Sequence, residues 1–230
     1  MFDARRHHRT VKNSIHLRST TANTLSTFHS CLAGRQVPLY TSSMDLVFFG
    51  IQGSGKGTQA KRLVEEFGYY MFEAGGELRK IKASGTELGN TVARYIDNGE
   101  LVPFDIIMQV VKEAVAAVPA DQQILFDGIP RDEDQKKAFD EILSAAGREF
   151  TCLHMLLSKD EAVERIKGRA EIEGRVDDAD QEKVLRRMEL FEEKTKPVIA
   201  EYAAQGIVVE VDGNGSVDEI YERIKTALHL

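Results

Sequence analysis

Nine consecutive residues, Gly50-Ile51-Gln52-Gly53-Ser54-Gly55-Lys56-Gly57-Thr58, constrain this chain more than any other stretch. They follow a short apolar run, Leu46-Val47-Phe48-Phe49, which reads as a buried strand. They precede a helical pattern from Thr58 to Phe67 that places Ala60, Leu63 and Val64 on one face. Glycines let the backbone curl so that successive amide N–H groups point inward at an anion. The helix that follows adds its own unpaired N–H groups and the positive end of its dipole. Lys56 supplies a mobile charge for phosphate oxygens, and Thr58 a hydroxyl, one position later than the general pattern because Gly57 intervenes. Strand, glycine-rich loop and helix together imply a bound phosphate.

The rest of the chain continues in the same idiom. Strands are predicted at Tyr69–Phe72, Gln123–Asp127, Thr151–Leu157 and Ile207–Val211. Helices are predicted over 75–84, 87–98, 104–118, 132–146, 159–169, 180–204 and 217–228, with Pro103 at the start of the third of these. A polar connection is expected over 170–178. Strands alternating with helices imply an α/β fold with a parallel sheet and right-handed crossovers.

Charge separates the chain into two parts. Residues 1–43 hold six Lys/Arg against the single acid Asp3, together with four of the six histidines and twelve Ser/Thr. Their apolar residues show no period. Two readings stay open for this extension: an organellar transit peptide, or a disordered leader to a natural start at Met44. The net charge of the whole chain is −7, so the remainder is strongly acidic. An acidic body argues against broad nucleic-acid binding, which rests on phosphate neutralisation. No stretch approaches the ~20 apolar residues of a membrane span. Two cysteines, Cys31 and Cys152, make neither a disulfide framework nor a four-cysteine zinc site. The compartment expected is cytoplasmic, or an organellar matrix if the leader is a transit peptide.

Five ordered blocks carry a resemblance. Gly53-Ser54-Gly55-Lys56-Gly57-Thr58-Gln59 is followed by Gly75-Gly76-Glu77-Leu78-Arg79, then by Asn98-Gly99-Glu100-Leu101-Val102-Pro103. Asp127-Gly128-Ile129-Pro130-Arg131 with Gln135, and Gly174-Arg175-Val176-Asp177-Asp178, complete the set. In this order they resemble the adenylate kinases, within the nucleoside monophosphate kinases, over residues 44–230. The resemblance implies a three-layer P-loop NTPase fold with a five-stranded parallel sheet. It also implies a helical NMP-binding insert at about 73–102 and a short lid at about 168–178. The activity it implies is transfer of the ATP γ-phosphoryl group to AMP, giving two ADP, with Mg²⁺ accompanying ATP and a monomeric enzyme.

Residue roles come with the resemblance. Gly53, Ser54, Gly55, Lys56, Gly57 and Thr58 would cradle ATP, with Arg165, Arg169 and the Gly215 carbonyl around it. Arg79 and Arg131 would take the AMP phosphate, because guanidinium forks fit phosphate oxygens in pairs. Ala74, Glu100, Leu101, Val102, Gly128 and Gln135 would line the rest of the AMP site. Arg175 and Arg187 would close over the transferring group, with Arg186 a rival to Arg187. Lys56, Arg131, Arg165, Arg175 and Arg187 form the catalytic set. Asp127, through water, and Thr58 would order the metal.

Three positions depart from the family's pattern. Ala74 stands where threonine is usual, Gly76 where aspartate is usual, and Phe104 where aspartate is usual. Each loses a polar group near the acceptor nucleotide, and lost hydrogen-bond partners weaken base discrimination. Two alternatives therefore stand beside AMP phosphorylation: a kinase for UMP, CMP or another monophosphate, and a nucleotide-binding module without turnover.

Overall fold

The structure, a computed structural model, describes residues 44–173 and 180–230, with side chains for 44–168 and 180–230. The leader 1–43 and the whole Gly174–Asp178 block lie outside the described residues. Five parallel strands form one sheet: β1 (Asp45–Phe49), β2 (Tyr70–Glu73), β3 (Ile124–Asp127), β4 (Phe150–Leu156) and β5 (Val208–Asp212), in the order β2-β3-β1-β4-β5. This is the α/β sheet expected.

Alternation along β1 explains the three layers. Every residue of β1 is buried, as a central parallel strand requires. Successive side chains point to opposite faces. Leu46 and Phe48 pack with Ala60 and Leu63 of α1 (Lys56–Phe67), and with Ile220, Tyr221 and Ile224 of α9 (Val217–Leu228). Val47 and Phe49 join the opposite core, which includes Val111 of α4 (Phe104–Ala117), Phe139 of α5 (Glu133–Ala145) and Tyr202 of α8 (Lys196–Ala204). The remaining helices are α2 (Ala74–Ala83), α3 (Glu87–Asp97), α6 (Lys159–Glu173) and α7 (Gln181–Leu190). α2 and α3 pack on one another between β2 and the Leu101–Pro103 segment. Among the described residues no helix is long and apolar enough to cross a membrane.

Helix starts follow local chemistry. Asp132 caps α5 by accepting the Gln135 N–H at 2.8 Å, and Ser216 and Glu219 form a reciprocal capping box on α9.

Three boundaries differ from the sequence reading in ways that touch the site. β2 runs one residue later than predicted, which turns Glu73 into its last residue, paired in register with Asp127. α6 continues to Glu173, through the first part of the expected polar connection. The single helix expected over 180–204 is interrupted by a π-helical segment, Phe191–Thr195, between α7 and α8. There the Lys196 N–H reaches the Phe191 carbonyl, five residues back. Pro197 follows at once and has no N–H to give. A wider turn at this point alters which side chains face inward.

Candidate active site

A cleft of about 330 Å³ opens at the carboxyl ends of β1, β2 and β3. This is where an open parallel sheet binds ligands, since loops diverge there and helix N-termini point in. Its lining begins with the glycine-rich loop. Gly53 and Gly55 have φ of 86° and 89°, a region that only glycine enters freely. A Cβ on Gly53 would also lie 2.7 Å from the Ala162 carbonyl oxygen, so no other residue fits. Lys56 folds over the loop: its ammonium donates to the Gly50 carbonyl at 2.7 Å and the Ile51 carbonyl at 3.1 Å. Thr58 is exposed on the cleft, whereas Ser54 is buried with a hydroxyl that has no partner among the described residues. Asp127 ends β3 beside the loop, with one carboxylate oxygen 3.9 Å from where a Cβ on Gly57 would stand.

A second, cationic cluster lines the same cleft. Arg131 follows a cis Ile129–Pro130 bond and is held at three atoms. Its Nε donates to the Gly128 carbonyl at 2.7 Å, and its N–H donates to Oε1 of Gln135 at 2.9 Å. Its carbonyl accepts the Thr195 hydroxyl at 2.9 Å. Burial pushes the Arg131 pKa down; the Asp127 carboxylate opposes this, and the Arg187 and Arg79 guanidiniums add to it. Three arginines gathered on one cleft make it a favourable place for an anionic ligand.

Arg79 and Arg187 both line the cleft. Arg186 points away and pairs with Glu189 at 3.5 Å, both side chains half-exposed. Glu100, Leu101, Val102 and Gly128 also line the cleft. Two expected positions do not. Ala74 turns its methyl into the core at 1 % exposure, because it opens α2 directly beneath Gly128. Gln135 is buried at 3 % exposure, its carboxamide oxygen engaged by the Arg131 backbone.

The donor-side arginines separate from this cluster. Arg165 lies off the cleft, donating to the Gly213 carbonyl at 3.0 Å and paired with Glu161 at 2.9 Å. It thereby meets the 212–215 turn that contains Gly215, which is strapped by Arg223 donating to the Asp212 carbonyl at 3.1 Å and to that of Asn214. Arg169 is on α6, but its side chain lies outside the description; Arg175 lies outside the described residues altogether.

Sequence reasoning missed several lining residues. Phe191 and Thr195 reach the cleft from the π segment, and Glu73 from the end of β2. Pro197 inside a long helical pattern was the available signal for the first two.

Comparison with known proteins agrees with this geometry. The family model described as Adenylate kinase matches residues 48–207, well over half of the chain. An adenylate kinase of Thermus thermophilus is 41% identical over 186 residues, covering 80% of this chain and 97% of its own. Adenylate kinases of Micrococcus luteus and Maricaulis maris are each 40% identical over 80% of this chain, covering 90% and 98% of their own. With its fold, its phosphate loop and its similarity running nearly the full length of those relatives, this chain belongs to the adenylate kinase family.

Proposed function

We propose that this chain transfers the γ-phosphoryl group of ATP to AMP, giving two ADP. One observation carries the reading: the Lys56 loop and the Arg79, Arg131 and Arg187 side chains line a single cleft. Such a lining suits two anionic groups brought together in one cleft. Phosphoryl transfer needs little else beyond alignment, charge neutralisation and exclusion of water. The relatives named above, all adenylate kinases, support AMP as the acceptor.

In this reading the loop amides and Lys56 hold the ATP phosphates, with Lys56 exchanging its contacts to Gly50 and Ile51 for phosphate oxygens. Arg79 and Arg131 hold the AMP phosphate, and Arg187 spans the two. An AMP phosphate oxygen attacks Pγ, the bond from Pγ to the β–γ bridging oxygen breaks, and that oxygen leaves as part of ADP. Residues 44–230 act as one kinase domain, with the insert over 73–102 and the lid over 168–178 closing to keep water from the γ-phosphoryl group.

A hydroxyl at Thr58 and a carboxylate at Asp127, both on the cleft, are hard oxygen donors that suit Mg²⁺ arriving with ATP. When bound, the ion neutralises charge on the phosphate oxygens. Among the described residues no three His, Cys, Asp or Glu gather to cage a metal, so water and phosphate would supply most ligands.

The test is ADP formation by the purified chain from ATP and AMP. ADP no higher than in an ATP-only control would sink the proposal. Lys56→Ala is expected to lower kcat by roughly 10²- to 10³-fold, the range for removing one preorganised donor. A second reading, a kinase for another monophosphate, is favoured by the missing polar groups at Ala74 and Gly76. Comparing kcat/KM for AMP, GMP, CMP and UMP decides between them.

A further inference from the structure

We infer that Glu73 is a positioning residue of the acceptor half of the cleft, acting through Arg79, in a contact that Gly75 and Gly76 leave unhindered. The inference rests on the reading of Arg79 as an acceptor-phosphate ligand. Glu73 is the last residue of β2 and the cap position of α2, yet its carboxylate makes no capping hydrogen bond. It turns sideways instead, and its Oε1 accepts from Arg79 Nη2 at 2.6 Å. Glu77, the other acid within reach by sequence, is already engaged with Lys80 at 2.7 Å.

The two glycines leave space around this contact. A Cβ on Gly75 would lie 3.1 Å from Arg79 Nη1. A Cβ on Gly76 would lie 3.2 Å from Glu73 Oε2 and 3.4 Å from its Cδ. Neither glycine has a positive φ, so conformation alone does not require them. A side chain at either position would press on the tip of Arg79 or Glu73, so the two glycines leave the pair unhindered.

The contact leaves Arg79 equipped for a ligand. A guanidinium has five N–H donors, and Glu73 takes one through Nη2. Arg79 is otherwise a long side chain at 44 % exposure, free to sample rotamers on the helix surface. One anchored nitrogen restricts that sampling while Nε and Nη1 stay available to phosphate. Glu73 is itself 38 % exposed, so solvent weakens the pair and its effect is modest. Its signature is therefore a selective change in acceptor binding. It is not a loss of turnover.

The same geometry gives a rescue. The bond from Cα to a Cβ at position 76 aims at the space the Glu73 carboxylate fills. An aspartate there, with Glu73 shortened to alanine, would deliver a carboxylate to the same guanidinium.

Steady-state kinetics on Glu73→Ala, Glu73→Gln, Arg79→Ala, Glu73→Ala/Arg79→Ala and Glu73→Ala/Gly76→Asp tests this, with melting temperatures recorded for each variant. Glu73→Ala is expected to raise KM for AMP about three- to fivefold, the most an exposed pair sustains, with KM for ATP and kcat unchanged. Glu73→Gln, whose amide oxygen still accepts from Nη2, should fall between wild type and Glu73→Ala. The effect of Glu73→Ala should vanish once Arg79 is alanine, and Gly76→Asp should recover most of the lost affinity. An unchanged KM in Glu73→Ala, or an undiminished effect in the Arg79→Ala background, overturns the inference while Arg79→Ala alone still reports on the acceptor site. If Arg79→Ala leaves KM for AMP untouched, the acceptor reading of Arg79 falls, and the inference with it.

Discussion

Two adjacent arginines on α7 compete for one role, and helix geometry allows only one to win. Neighbours on an α-helix point about 100° apart, so Arg186 and Arg187 cannot face the same cleft. Arg187 lines it and adds its charge to the field on Arg131; Arg186 sits with Glu189 on the outer face. Arg187→Ala is expected to lower kcat by about 10²-fold or more, as for other preorganised charge-stabilising donors. Arg186→Ala is expected to stay within about twofold, because an exposed pair contributes little. Rates at saturating ATP and AMP decide, and a large loss in Arg186→Ala would reverse the assignment. At this scale the glycine loop was readable in sequence because its parts are contiguous and Gly50, Gly53 and Gly55 each answer to a positive φ. Glu73 was not readable. Its contact to Arg79 spans six residues from a strand end into a helix, a separation that no single periodicity marks.

Among the elements, the π segment between α7 and α8 has the clearest consequence for the site. It brings Thr195, 6 % exposed, against the Arg131 carbonyl, so the helix behind the cleft buttresses the loop that carries its central arginine. Thr195→Val keeps shape but removes the donor, leaving the carbonyl oxygen without that partner. Such a loss costs about 1 kcal/mol of stability and loosens Arg131. KM for AMP should rise several-fold with KM for ATP unchanged; isothermal titration with each nucleotide separates the two, and equal weakening of both would contradict the buttress. The sequence pattern located this region as one long helix, because apolar periodicity persists across it. A five-residue π segment beside Pro197 is a local change of hydrogen bonding, which periodicity does not encode. Each strand and α-helix of the described residues was thus legible in kind, while the extension of α6 to Glu173, the one-residue shift of β2 and the break at Phe191 were not, and the last two decide which side chains enter the cleft.

In the molecule as a whole, binding and stability occupy opposite edges of one sheet. The carboxyl edge holds the cleft, whereas the amino edge is closed by a buried ion pair. Asp45, opening β1, accepts the Ile124 N–H at 2.7 Å and Arg148 Nη1 at 3.1 Å, with side chains 3 % and 7 % exposed. Arg148 also donates to the carbonyls of Val118 at 3.1 Å, Pro119 at 2.8 Å and Gln122 at 3.0 Å, tying the approach to β3 to the start of β1. Removing the cation strands a carboxylate in the interior, so Arg148→Met is expected to cost about 3–5 kcal/mol in a urea titration at neutral pH. Burial already pushes the Asp45 pKa up, against the pull of the Ile124 N–H and of Arg148. Without Arg148 that opposition weakens and the folded pKa climbs further above its unfolded value. A carboxylate with a raised folded pKa destabilises most when both states are ionised, and its penalty fades as the folded state takes up a proton. The deficit of Arg148→Met should therefore be largest near neutral pH and shrink as pH falls through the raised folded pKa toward the unfolded value. Because the cleft lies at the far ends of these strands, kcat/KM measured well below the melting temperature should stay within about twofold of wild type, the two sites sharing no partner. A deficit that is constant with pH would mean that Arg148 acts through its carbonyl contacts alone, and a matching loss of activity would mean that the two edges of the sheet are coupled.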